Sequence, residues 1–300
     1  MLLKKSNKKG QSLTFVLLTH INKGLTMVTK TVAIYVFFDD ILKSMNHKEP
    51  ESRKTTDAEI ITVVLIAAGY FGGNIETALC FVRSTGLMPA ILGKSRFNRR
   101  LHNIEEFLSQ LFFRTGEAIK DINLQTTYCI DSFPVAVCHN IRIANSRIVK
   151  GEDYRRYCAS KRSYFYGFKV HMIVTSNGIP VEFTFTTGKV HDMDGIKQLP
   201  VNLPEGSEVP ADSTYTDYLF EEMLADNNIH LKAARKSNSG KPHNPCREYL
   251  ISIHRKRIET AFSDIAKYMP KKIHAVTQNG FLIKLIMFIW AYTFDKLYNV

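Results

Sequence analysis

The sequence predicts an α/β protein: a mixed sheet flanked by helices, preceded by an all-α N-terminal region. Three observations predict it. Apolar residues recur at helical spacing through about residue 120, with glycines where the runs stop. From Thr126 onward, β-branched and aromatic runs alternate with helical stretches. Finally, Asp131 and Asp212 each close a short apolar strand-like run, the place where α/β sheets gather their chemistry.

Residues 1–28 are a basic lead-in, poorly ordered, or an overlong start. Lys4, Lys5, Lys8 and Lys9 precede the apolar run Leu13–Leu18, but no small-residue cleavage site follows it. Residues 29–122 form the helical region. Ile34, Phe37, Phe38, Ile41, Leu42 and Met45 share one helical face, and Pro50 marks the loop beyond. Thr55, Thr56 and Asp57 are N-cap candidates for the apolar helix Ile60–Tyr70, which Gly72 and Gly73 end. A helix over Asn74–Ser84 stops at Gly86, and an amphipathic helix follows Leu101 to about Ile119. Between them Lys94, Arg96, Arg99 and Arg100, with Ser95 and Asn98, suit phosphate contacts, the alternative being a solvated basic face. These residues make 29–122 the expected DNA-binding region.

A second domain, of strands and helices, is expected over 123–300. Its first strand, about 127–133, ends at Asp131, because Pro134 lacks an N–H for the ladder. A basic insertion at about 138–164 carries Arg142, Arg147, Arg155, Arg156, Lys161 and Arg162, with Tyr154, Tyr157 and Tyr164 interleaved. Its lack of apolar periodicity predicts an extended loop, and its composition suits a DNA backbone with base stacking. Phe168–Thr175 and Ile179–Thr187 form a hairpin about Ser176-Asn177-Gly178. His191, Asp192 and Asp194 then begin a short helix, with Asp192 or Asp194 its expected cap; His191 and Asp192 also lie where a strand end could face the cleft. Strand Glu208–Ala211 leads to Asp212, helix Thr216–Asn227 to strand Ile229–Ala234, and helices follow over Cys246–Tyr268 and Phe281–Leu297.

This is the element order of the ribonuclease-H-like fold, in which the first and fourth strands are neighbours. Asp131 and Asp212 would therefore meet. Glu259, four residues after Arg255 on the late helix, can complete the cluster, although an ion pair with Arg255 explains it equally well in isolation. Three carboxylates suit Mg²⁺, and two such ions suit phosphodiester cleavage.

Composition agrees. A charge of +12 and a pI near 9.4 favour a polyanionic partner, most simply DNA. The five cysteines are scattered with no CxxC pair, which argues against a zinc module or disulfide framework and fits a reducing cytosol. No apolar run is long enough for a convincing membrane span.

Several stretches in order resemble transposases of the insertion sequence 982 family, over about 29 to 295. They are Lys94–Arg100, Ile130–Asn140, Tyr166–His171, Gly178–Glu182, Gly188 with His191-Asp192, Ala211–Tyr218 and Arg257–Ser263. The resemblance implies a DDE transposase of a prokaryotic mobile element, cytoplasmic and nucleoid-associated. It cleaves DNA at the element ends and transfers the strands into target DNA. Asp131, Asp212 and Glu259 would be its catalytic and metal-binding triad, with two Mg²⁺ or Mn²⁺ ions; its partners would be terminal inverted repeats, target DNA and a second copy in a homodimer. Arg255 fits the Tyr-x2-Arg-x3-Glu-x6-Lys signature of related enzymes and is a further DNA-binding candidate. Ser252 and Ala266 depart from that signature, and Lys267 lies one residue late. Outside the resemblance, a metal-dependent nuclease of the same fold and a non-catalytic DNA-binding protein remain the alternatives.

Overall fold

The computed structural model describes residues 27–139, 142–158 and 162–298, so the lead-in up to residue 26 and Lys161 lie outside the described residues. The described chain divides into two compact units, 27–104 with 294–298, and 105–293.

In the first unit the elements are α1 (Met27–Ser44), α2 (Asp57–Tyr70), α3 (Ile75–Ser84) and α4 (Lys94–Asn103). Helix α2 is apolar on all sides because all sides are covered: Ile60, Ile61, Val63, Val64, Ile66 and Ala67 are fully buried. A capping box starts it. The Thr56 hydroxyl accepts from the Glu59 amide, and the Glu59 carboxylate accepts from the Thr56 amide at 2.8 Å. Beyond its end, Gly72 and Gly73 take φ of 55° and 80°, left-handed values that favour glycine. Among the described residues no single helix is long and apolar enough to cross a membrane. The α2–α3 pair passes such a test only together and is bent by 112°.

The second unit begins with α5 (Glu105–Ile122). It is the amphipathic helix expected after Leu101 to about Ile119, and α4 ends just before it, with Ile104 between them. Next come β1 (Tyr128–His139), β2 (Arg155–Cys158), β3 (Ser163–Thr175), β4 (Pro180–Thr187), α6 (Asp192–Ile196), β5 (Glu208–Ala211), α7 (Tyr218–Asp226), β6 (His230–Ala233), α8 (Pro245–Tyr268) and α9 (Gln278–Tyr298). Strands β1 and β4 flank β3, both antiparallel to it, and β2 pairs with the first residues of β3. Strands β5 and β6 are parallel. Thr127 bridges Glu208 in parallel, and the Glu208 amide donates to Thr126 O at 2.8 Å. The strands therefore run β4-β3-β1-β5-β6 in space, a mixed sheet with helices around it.

Two expectations are corrected. Pro134 does not stop β1. It sits in the ladder opposite Lys169, and beyond Asp131 β1 pairs only with β3 among the described residues, so an imide that cannot donate is tolerated on the other edge. The basic insertion is not wholly a loop. Residues Arg155–Cys158 pair as β2 with Ser163–Tyr166, and β3 accordingly starts at Ser163.

Close packing fixes α5 on the sheet. A Cβ at Gly116 would stand 2.2 Å from Val181 O, so the helix approaches β4 at backbone distance. Phe112 meets Phe183 and Trp290 edge-on at 4.7 and 5.2 Å. Next to it Lys120 and Glu182, 3% and 1% exposed, form an ion pair at 2.7 Å.

Candidate active site

Asp131 lies on β1, opposite Met172, after the buried run Tyr128-Cys129-Ile130 that seats the strand in the core. Its Oδ1 accepts from the Ser132 amide at 2.7 Å and, at a long 3.5 Å, from the Tyr215 hydroxyl. Burial pushes its carboxyl up to about 6, and the charges of Asp212 and Asp192 push the same way, against the Ser132 amide and Arg255. Asp212 follows β5 and caps the short 3₁₀ turn Ser213–Tyr215, its Oδ1 accepting from the Ser213 amide at 2.6 Å. The β1–β5 neighbourhood thus brings the two aspartates into one electrostatic environment.

Glu259 comes from α8, whose buried side is Ile251, Ile258, Phe262 and Ile265. Its own side chain is exposed. Arg255, one turn earlier, lies between carboxylates, 3.3 Å from Asp212 and 3.9 Å from Glu259. The structure shows the expected ion pair of Glu259 with Arg255, and it places that arginine between Glu259 and Asp212. Among the described residues the one trio of candidate ligand atoms within 4.8 Å of one another is His47, Glu49 and Asp57 in the first unit, so the three acidic groups of the second unit stand wider apart. That trio is already neutralised. Arg100 lies 2.5 Å from Asp57 and 3.0 Å from Glu49, and Arg53 and His47 complete the network.

Behind Asp131 runs a second charged chain. The Ser132 hydroxyl donates to Asp192 at 2.6 Å, and Lys169 donates to the same carboxylate oxygen at 2.6 Å. Arg156 approaches its other oxygen at 4.0 Å and donates to Val190 O at 3.0 Å. Burial raises the Asp192 carboxyl, but the bonds from Lys169 and Ser132 and the two cations outweigh it, leaving the group below the usual carboxylate range. Neither Asp192 nor Asp194 caps α6, a correction to the expected cap. His191 occupies that position, its Nδ1 accepting from the Met193 amide at 3.5 Å, because the Asp192 side chain is engaged with β1 and β3.

Beneath α6, His171 is 1% exposed and bonds Thr186 Oγ1 at 2.9 Å through Nε2, while its Nδ1 has no partner. Burial, with the charge of Lys169, drops its pKa to about 4. A Cβ at Gly195 would stand 2.1 Å from this ring, so α6 rests on it directly.

Of the expected DNA-binding residues, Arg96 and Arg99 are exposed on α4, and Lys94 is exposed but 2.5 Å from Glu76. Arg100 turns inward to Asp57, its charge taken up inside the first unit. Arg142, Arg147 and Arg162 are exposed, and Arg155 lies 4.7 Å over the Tyr164 ring. Arg156 is half-buried against Asp192. Lys267 pairs with Asp264 at 2.8 Å on the exposed side of α8.

Sequence reasoning missed Tyr215, Ser132 and Lys169. Tyr215 is fully buried, and burial followed by the charges of Asp131 and Asp192 pushes its hydroxyl far above its ordinary value, so it stays a neutral donor. Lys169 had a legible signal: a lone cation inside the apolar run Phe165–Val174, which needs a buried partner.

A family model described as a transposase DDE domain matches residues 122–276, just over half of the chain, and spans Asp131, Asp212 and Glu259. No curated protein and no solved structure matches.

Proposed function

The chain belongs to the DDE-domain transposases, and from that premise we propose that it is a transposase of the insertion sequence 982 family, cleaving DNA at element ends and joining the strands to target DNA. The observation that carries the proposal is the pair Asp131 and Asp212. Asp131 lies within β1, just past its bridge to β5, and Asp212 directly follows β5; burial and the charge of Asp212 push the Asp131 carboxyl up to about 6. The strand order β4-β3-β1-β5-β6, three antiparallel strands followed by two linked through helices, supports a ribonuclease-H-like catalytic domain.

The donor set fits a divalent cation. Asp131, Asp212 and Glu259 offer carboxylate oxygens, the ligands Mg²⁺ or Mn²⁺ prefer, and burial, then the charge of Asp212, makes Asp131 costly to ionise without a cation. In this reading these three side chains hold two such ions. A bound ion would supply Lewis-acid activation of the attacking and leaving oxygens.

The chain's own residues do the rest. Ser132 and Tyr215 orient Asp131 by hydrogen bonds, and the Asp192–Lys169 pair anchors Ser132. Arg255 offsets the carboxylates. It is exposed enough to turn to a DNA phosphate, as are Arg142, Arg147 and Arg162 on the stretch before β3. In the helical N-terminal region, Lys94, Arg96 and Arg99 meet the terminal inverted repeats. The protein works on the nucleoid in a prokaryotic cytoplasm as a homodimer, because two element ends must be joined in one reaction.

The test uses a duplex carrying the element's terminal repeat, with Mg²⁺ and a target plasmid. The wild type cleaves and joins, and Asp131→Ala binds without cleaving. Full cleavage by Asp131→Ala would refute the site. Cleavage that yields hydrolysed ends and never joined product would make the enzyme a nuclease.

A further inference from the structure

Strand β2 and the start of β3 form a two-stranded ribbon, with Tyr157 directly opposite Tyr164. Strand alternation places Arg155 and Tyr157 on one face and Arg156 on the other. On the first face Tyr157 is 49% and Tyr164 46% exposed, among the most exposed large side chains of the sheet. Their ring centroids are 5.1 Å apart at a tilt of 59°, and the Arg155 guanidinium lies 4.7 Å over the Tyr164 ring. Lys189 joins these residues around an open cavity of about 470 Å³.

The local acids hold these cations loosely. Arg155 lies 3.7 Å from Glu152 and Lys189 3.6 Å from Asp153, in pairs exposed enough to exchange for phosphate. The buried aromatics of the same segment are engaged differently. Tyr166 donates to Gly151 O at 2.6 Å, and Tyr154 packs on Tyr166 and Phe168. Tyr166 lies on the same face, nearer the core, so that end of the face is tied down, while the outer end presents two π-surfaces and two cations. Through Arg156 the ribbon is also connected to Asp192, Ser132 and the Asp131 strand.

We infer that Tyr157, Tyr164 and Arg155 form a stacking site for an unpaired nucleobase, with Lys189 meeting the adjoining phosphate. A paired base hides its faces in the duplex, so an exposed aromatic pair flanked by cations favours single-stranded nucleic acid. This rests on the reading of the chain as a DNA-processing enzyme and adds a preference for strand over duplex next to the catalytic residues.

The test is metal-free binding of the full chain to a mixed-sequence single strand carrying 2-aminopurine, and to the same strand fully paired. The wild type quenches the probe in the single strand. Tyr157→Leu with Tyr164→Leu keeps the ribbon's apolar contact and removes the π-faces. It abolishes quenching and weakens single-strand binding about tenfold while leaving duplex binding unchanged. Phenylalanine at both positions retains quenching and affinity. Undiminished quenching in the leucine variant, or its loss in the phenylalanine variant, overturns the site. If the wild type binds duplex without quenching the single-strand probe, only the stacking site falls. Binding to neither form removes the DNA-processing reading with it.

Discussion

The second unit holds two groups of opposed charges, and they are built on opposite terms. Around Glu182 every polar atom has a partner. Lys120 directs its three N–H bonds to Glu117, Glu182 and Asn202 O, at 2.6–2.7 Å, and the Glu182 oxygens also accept from the Val201 and Asn202 amides at 3.0 Å. Around Asp131 the balance is incomplete: its carboxylate has one short amide bond and one long hydroxyl bond, Asp192 nearby is already taken by Lys169, and among the described residues the one cation toward Asp212 is Arg255 at 3.3 Å. The first arrangement holds α5 to the sheet. The second leaves negative potential unmatched, which folding alone has no use for and cation-dependent chemistry requires.

The largest expected effect comes from removing the unmatched charge. Asp131→Asn should reduce cleavage by about a thousandfold or more. It should also make the chelated protein more stable than wild type. The folded carboxyl titrates near 6 and the ordinary value is 3.8, so wild-type stability is full below about pH 4 and falls as pH rises to about 6. That loss amounts to about 3 kcal/mol at most. The asparagine variant lacks it, so its advantage in urea melts should grow between those pH values and stay flat above them. A variant less stable than wild type at pH 8 would show Asp131 to be balanced after all.

Breaking the satisfied group should do the reverse. Lys120→Met should cost about 3–5 kcal/mol in denaturant melts, because it leaves the Glu182 charge buried with no cation, and Glu182→Gln should cost less, since Lys120 keeps Glu117. Cleavage per folded molecule should be retained. A melting midpoint within error of wild type would show that the ion pair is not what holds α5.

Tyr215→Phe removes one hydroxyl from the unmatched group. We expect cleavage to slow about tenfold, with DNA affinity unchanged and stability altered by only about 1 kcal/mol. Equal losses in cleavage and in DNA binding would point to a collapsed site instead. The smallest effect concerns Arg255. Arg255→Gln should shift stability by less than about 1 kcal/mol. It should nevertheless tighten Mg²⁺ binding to the DNA-free protein, measured by calorimetry, since the guanidinium competes for Asp212 and Glu259.

The sequence made the two groups unequally visible. Asp131 and Asp212 were legible because each closes an apolar run, and the element order made their strands neighbours. Strand Glu208–Ala211, the β3–β4 turn at Gly178 and the long α8 were legible for similar reasons, since alternation, turn chemistry and helical phase are all local. The Lys120–Glu182 pair joins residues 62 positions apart, and no local pattern announces such a contact. The role of Asp192 was obscured by its place at a helix start, where capping is the commoner use; the competing demand came from Lys169 on β3. Pro134 misled for the opposite reason. Its effect on a ladder depends on which edge is paired, and that is a property of the sheet. Arg100 resembled its neighbours on α4 until Asp57 and Glu49, more than forty residues earlier, were brought to it by the fold.

The contact between Gly195 and His171 gives the site a mechanical character. With no methyl group between them, the histidine ring acts as a fulcrum for the short helix that carries Asp192. Any side chain at position 195 would have to displace that ring or shift the short helix, and the same helix carries the carboxylate that holds Ser132 beside Asp131.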